Sequence, residues 1–461
     1  MTDAPPLGKL LAALGMSGDR FARRLNDSAD ALGRSERVHP KTPYKWIKGE
    51  IPRSPWRSLA ALVLSKELGR PITVTDLGWP PDDLECASAT AGLQTPWTTA
   101  GTLRAVQAVA DAGPMDRRRF LLLTGASITS PAHEWLIAHP TGDTTRAAGA
   151  SVPAAVVDHL DQITAQLRRL DDQIGGGQLL HLVHEHLRYV TSLLRERRYD
   201  DTVGRRLHAT AAELLRLAGF VTFDDGQHGR AQRYWIAGLR AAHTAGDQAT
   251  GANILGFMSC QAKDLTGERE ATLLAETART GYPGASSKVT AILALRAAEA
   301  SAHDQSATPA RRTADTRRAI DTAFDALTGG LSPSSGDPEW SYWMDPAQAH
   351  AQAGYCHLRI GNHPQARYHL RRALRLQDTS YSREGALRQI LLATTYLQQQ
   401  QPDIDAALAH AGRAIDALCD HVDSARCRGH VSHLTHALAP YRRSTGVREF
   451  FDRARPLLSP A

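Results

Sequence analysis

Apolar residues return at intervals of three and four along nearly the whole chain, the period of a helix with one buried face. Leu7, Leu10, Leu11 and Leu14 set out a first helix. Phe21, Ala22 and Leu25 form the inner face of a second, with Ser17 placed to cap it. A polar connection, Asn26 to Arg37, separates these from a short helix beginning at Thr42. A fourth helix, roughly Trp56 to Leu68, would bury Leu59, Leu62, Val63 and Leu68 and end at Gly69-Arg70-Pro71, after which Val74, Leu77 and Trp79 close the set. From about Val152 helix follows helix with few Pro or Gly interruptions. The expected class is all-α: a small N-terminal bundle, then a longer helical array.

The short third helix is marked at both ends. Thr42 is placed as an N-cap, Pro43 as the first helical residue and Gly49 as the left-handed residue that stops a helix, with Pro52 preventing a restart. Between these lie Lys45 and Lys48, with Lys41 just outside and Trp46 as the apolar anchor. Lys is rare in this chain, at positions 9, 41, 45, 48, 66, 263 and 288, so three of seven fall in one short window. Residues 1–80 hold thirteen Lys+Arg against eight Asp+Glu, a net +5 out of the chain's +6. The basic excess thus belongs to the first domain, as in a nucleic-acid module joined to a neutral partner domain. A short helix with one aromatic root and three ammonium groups suits insertion into a DNA groove. The plainer reading of the same residues is a solvated basic turn.

At 461 residues the chain exceeds one ordinary core, and its 42% hydrophobic content is ample for packing. Five scattered cysteines, none in a CxxC pair, imply reduced thiols and a cytoplasmic setting. No apolar run is long enough to span a membrane, and the first ten residues lack a signal-peptide core. There is no P-loop, GxGxxG, GxSxG or HExxH, so neither an enzyme nor a cofactor site is expected.

The run Phe21-Ala22-Arg23-Arg24-Leu25, then Thr42 to Gly49, then Pro52 and a helix ending Leu68-Gly69, resembles the helix-turn-helix of the Cro/repressor (XRE) class. The segment Thr42–Trp79 resembles more closely a set of actinobacterial regulators that carry this module ahead of a helical-repeat domain. The resemblance implies a recognition helix at Thr42–Lys48, with Pro43 and Trp46 toward the core and Lys41, Thr42, Tyr44, Lys45 and Lys48 toward double-stranded DNA. Two features depart from the class: a longer connection before the recognition helix, and Pro43 in place of a β-branched residue. By position, Lys45 and Tyr44 would read bases, while Lys41, Lys48, Arg53 and Arg57 would hold phosphates. The implied organisation is a DNA-binding domain over 1–80, a linker with one helix over 81–150, and a helical-repeat dimerisation and sensor domain over 151–461.

Within that last region Leu215, Ala218, Gly219, Ala231, Trp235 and Gly238 have the spacing of His350, Ala353, Gly354, Ala366, Leu370 and Ala373, which resembles the tetratricopeptide pattern of a helix pair per unit. Such architectures include peptide-responsive regulators, so a homodimer with a small-molecule or peptide effector is the expected arrangement. Trp340, Tyr342 and Trp343, just after the Gly329–Pro338 break, are candidates for a pocket wall, or for a packed helix start. His181, His184 and His186, and His430, His433 and His436, share helix faces but lack a recognised zinc spacing, and read as ordinary helix histidines rather than metal ligands. Met115 to Ser127 resembles a twin-arginine export signal, but lies inside the chain. Two rivals to the regulator remain: an interaction scaffold that does not bind an operator, and an exported protein begun at Met115.

Overall fold

The computed structural model describes residues 6–31, 37–53, 56–68, 72, 74–79, 93–111, 122–174, 176–265, 267–284, 286–329, 336–378, 382–421 and 425–458. The Gly69-Arg70-Pro71 stop, Cys86, the Arg118-Arg119 pair and most of the Gly329–Pro338 break lie outside them. Among the described residues the fold is all-α, without a named strand; Arg146 and Tyr199 form an isolated antiparallel bridge. No described helix is long and apolar enough to cross a membrane.

Helices α1 (Pro6–Ala13), α2 (Gly18–Ala31), α3 (Thr42–Ile47) and α4 (Trp56–Leu68) lead, followed by a 3-10 turn at Thr75–Leu77. They surround one core of Leu7, Leu11, Phe21, Leu25, Trp46, Leu59, Leu64, Leu77 and Trp79. The stretch expected as a linker carries α5 (Thr99–Ala110) and α6 (Ala126–Ile137), each with a buried face. Then come α7 (Ala154–Ile174), α8 (Gly176–Glu196), α9 (Asp201–Asp224), α10 (His228–Ala245) and α11 (Gln248–Asp264). Helices α12 (Glu268–Thr280), α13 (Ser287–His303) and α14 (Pro309–Gly329) follow. After a 3-10 turn at Glu339–Trp343, α15 (Pro346–Arg359), α16 (His363–Leu376), α17 (Ser382–Leu397), α18 (Ile404–His421), α19 (Ala425–Leu438) and α20 (Thr445–Leu458) complete the chain.

The chain divides into two compact units: Met1–Leu160, His186–Gly219 and His228–Leu255 form the first, and Asp161–Glu185, Phe220–Gln227 and Gly256–Ala461 the second. In the first, α10 is buried on nearly every side, polar residues included. Its Gln232 side chain makes both backbone hydrogen bonds of Leu123, accepting from the N–H at 2.7 Å and donating to the carbonyl at 3.0 Å. Its Arg240 guanidinium lies over the Trp97 ring, 4.6 Å from the centroid, and donates to the Thr95 carbonyl at 2.6 Å. Glu134 accepts from the Trp97 indole N–H at 2.7 Å and faces Arg240 at 3.5 Å. Burial raises the Glu134 pKa, and Arg240 and the indole bond oppose that rise. Such polar groups are tolerated in a core because each has partners.

The two sequence segments that align also pack alike, each within its own unit. A Cβ placed on Gly219 would sit 2.2 Å from the Trp235 indole nitrogen, and one on Gly354 would sit 2.7 Å from Leu370 Cγ. In both pairs a glycine of the first helix receives a large side chain of the second, and Trp235 and Leu370 are fully buried. Gly354→Ala therefore sets two effects against each other. Alanine favours a helix by about 1 kcal/mol, whereas overpacking a tight contact costs roughly 1–3 kcal/mol. Because the obstructing atom is a branch carbon of a buried Leu, sterics should win and the melting temperature should fall. A rise would mean that α15 and α16 can part without loss.

Candidate nucleic-acid interface

Six residues cannot hold a helix unaided, since isolated helices shorter than ~12–15 residues are marginal in water. Helix α3 is held by its neighbours. Pro43 and Trp46 are buried, and Trp46 meets Trp79 edge to face at a centroid distance of 6.1 Å. On α1, a Cβ at Gly8 would lie 3.3 Å from Ile47 Cγ2, which marks the close approach of that helix. The C-terminus closes with a pair of nested hydrogen bonds: Gly49 N–H to the Trp46 carbonyl at 3.0 Å and Glu50 N–H to the Lys45 carbonyl at 3.1 Å. This closure requires Gly49 at φ +102°, a conformation that glycine adopts without a Cβ penalty.

The N-terminus differs from expectation. The cap is Lys41, not Thr42: Lys41 has φ −79° and ψ −12°, and no side chain caps the helix. Thr42 is already in the first turn, its N–H bonded to the His39 carbonyl at 2.9 Å. The His39 ring nitrogen Nδ1 takes the Lys41 N–H at 3.2 Å, so the turn at His39 does the work assigned to the Thr42 hydroxyl.

Two further attachments had no local signature. The Asn26 side chain on α2 accepts the Val38 N–H at 2.8 Å and donates to the Val38 carbonyl at 3.0 Å, fixing the approach to α3 across twelve residues. Tyr44 lies against the start of α2, where a Cβ at Gly18 would come within 2.8 Å of its ring, and its hydroxyl donates to Asp19 at 3.4 Å. Ser17 caps α2 as expected, its hydroxyl accepting the Arg20 N–H at 3.3 Å.

The expected site residues thus separate. Lys41, Lys45, Lys48 and Arg53 are exposed and Thr42 is half-buried. Tyr44 is 41% exposed, with its ring laid on α2. Arg57 is only 8% exposed, because its place on α4 faces inward, so it is withdrawn from the set of surface cations. Ile51, which sequence reading passed over, is 50% exposed beside Lys48 and Arg53.

The expected pocket wall does not form around Trp340. That residue is 1% exposed and sits in the core of the second unit beside buried Ser341 and Met344, while Tyr342 and Trp343 are half-buried and the Tyr342 hydroxyl bonds Asp172. This is the packed helix start of the alternative reading. His186 is buried and bonds the Leu160 carbonyl at 3.2 Å, and His436 bonds the Ser432 carbonyl at 2.7 Å. The His430 and His433 rings lie edge to face at 6.4 Å.

Residues 7–80 match a family model described as the SP15 N-terminal domain, a span that coincides with α1–α4 and their closing turn. No curated protein matches the chain.

Asn26→Ala would leave both polar groups of the half-buried Val38 backbone without their partner, at a cost of about 1–3 kcal/mol each in the fully buried limit. Hydrogen exchange at residues 37–49 should quicken well beyond that of α1 and α4. Equal acceleration throughout the four helices would mean that the clamp supports the whole bundle rather than α3.

Proposed function

We propose that the chain is a sequence-specific DNA-binding transcriptional regulator whose α3 enters a groove of double-stranded DNA. The observation that supports this most is the division of α3 into two faces: Pro43 and Trp46 are buried, while Lys45 and the flanking Lys41 and Lys48 are exposed. Arg53 extends the basic stripe. The net +5 of residues 1–80 adds the long-range attraction on which phosphate binding depends.

In this reading Lys45, in mid-helix and exposed, contacts a base edge. Lys41, Lys48 and Arg53 hold phosphates, and Tyr44 ties α3 to α2 through Asp19 rather than reading bases itself. One six-residue helix reads few base pairs, so the protein acts as a homodimer through residues beyond about 150, with half-sites about a helical turn apart. The helix pairs around Trp235 and Leu370 form its tetratricopeptide-like region, which responds to a small-molecule or peptide effector.

The roles separate in a binding assay on a randomised duplex library at two salt concentrations. Lys45→Ala should cost about 1–3 kcal/mol and relax preference at one position. Arg53→Ala should weaken all sequences alike and reduce the salt slope by about one. Unchanged affinity and preference in Lys45→Ala would remove α3 as the reader and favour the interaction-scaffold reading. Sedimentation of the full chain at micromolar concentration should give a dimer; a monomer would contradict the two-fold arrangement.

A further inference from the structure

The second unit contains a cavity of about 280 Å³ lined by α12, α13 and α14 and the connection between the last two. We propose that it is a binding site for a small oxyanion, a carboxylate or phosphate on a short organic body.

The cavity exists because of what faces it. Helix α13 contributes Ala294, Ala297, Ala300 and Ser301, none large enough to reach across. The facing stripe of α14 is Arg311, Asp315, Arg318 and Thr322, spaced to share one side of the helix. Where packed helices usually interdigitate large apolar groups, short side chains here oppose charged ones, and the gap stays open with an alanine floor and a polar rim.

The charges select the ligand. Four guanidinium groups line the cavity (Arg279, Arg311, Arg312 and Arg318) against three carboxylates, Glu276, Asp304 and Asp315. Asp315 is shared by Arg318 at 3.0 Å and Arg311 at 3.4 Å. Asp304 accepts from the Ser306 N–H at 2.9 Å and from its hydroxyl. The guanidinium groups thus outnumber the carboxylates by one. Arg312 is also held in place: its Nη1 donates to Gln305 Oε1 at 2.8 Å, and the Gln305 N–H is fixed by Glu268 at 2.9 Å. Its Nε–H is buried and meets no acceptor among the described residues. A positioned guanidinium with a buried donor to spare receives an oxyanion well, because such charge-assisted bonds are short and directional. The volume lies just below the usual range for ligand pockets, which restricts the occupant to a small acid.

The test uses the full chain and reads binding directly, so its outcome is independent of DNA binding by α3. Succinate and inorganic phosphate are titrated separately by calorimetry, the first representing carboxylates and the second phosphoryl groups. At least one should bind with a dissociation constant in the millimolar range or tighter and raise the melting temperature. Arg312→Gln should weaken that binding by about tenfold or more. Ala297→Leu, which fills the floor, should abolish it, while Arg443→Gln, on an exposed turn near the C-terminus, should leave it unchanged. If Ala297→Leu fails to fold, Arg312→Gln decides alone. Binding of neither anion would overturn the proposal, as would binding that survives Arg312→Gln undiminished.

Discussion

The burial of Trp46 is the contact on which the N-terminal architecture depends. Helix α3 has six residues and no side-chain cap, so its own hydrogen bonds cannot keep it folded. What keeps it folded is a fully engaged indole against Trp79, reinforced by Pro43 below and by closure at Gly49. Asn26 and His39 deliver the chain to it from one side. With the apolar half of α3 committed to the core, its lysines have only the outside to occupy. Charge is presented outward because an aromatic residue is drawn inward.

The second unit packs its helices as the Gly219–Trp235 pair of the first unit does. Its helices approach closely where one partner is Gly or Ala and the other a large residue, as at Gly354 and Leu370. Where the small residues of α13 face charged side chains of α14, the structure leaves a cavity instead of closing. Small residues therefore have two outcomes in one architecture, and the residue opposite decides which. Opposite Leu370 the result is a seam; opposite Arg311 and Arg318 it is a hole lined by charge.

Much of this was legible in the chain. Helical periodicity located the first four helices, Ser17 capped as its position implied, and Gly49 took the left-handed conformation expected of it. The spacing shared by Gly219 with Trp235 and Gly354 with Leu370 anticipated two contacts of the same kind. What escaped sequence reading was set by tertiary partners. The Thr42 hydroxyl lost its role to His39, three residues away. Asn26 reaches Val38 across a polar connection that carries no periodic signal. Arg57 reads as a basic surface residue until the register of α4 turns it inward, and of the two readings open for Trp340, groove wall or packed helix start, burial selects the second. The cavity was invisible because an Arg/Asp stripe on a helix looks the same whether it faces water or a neighbour.

The proposed role of α3 requires that the exposed cations around it grip duplex DNA. The most direct measurement is selection of bound duplexes from a random pool by the purified full chain, followed by affinity for the selected duplex as a function of salt. Three exposed cations placed on phosphates, Lys41, Lys48 and Arg53, should give a log–log slope of about −3 for each α3 engaged, twice that for a dimer, together with enrichment of a related set of sequences. An unenriched pool, or retention that does not change with salt, would contradict the account.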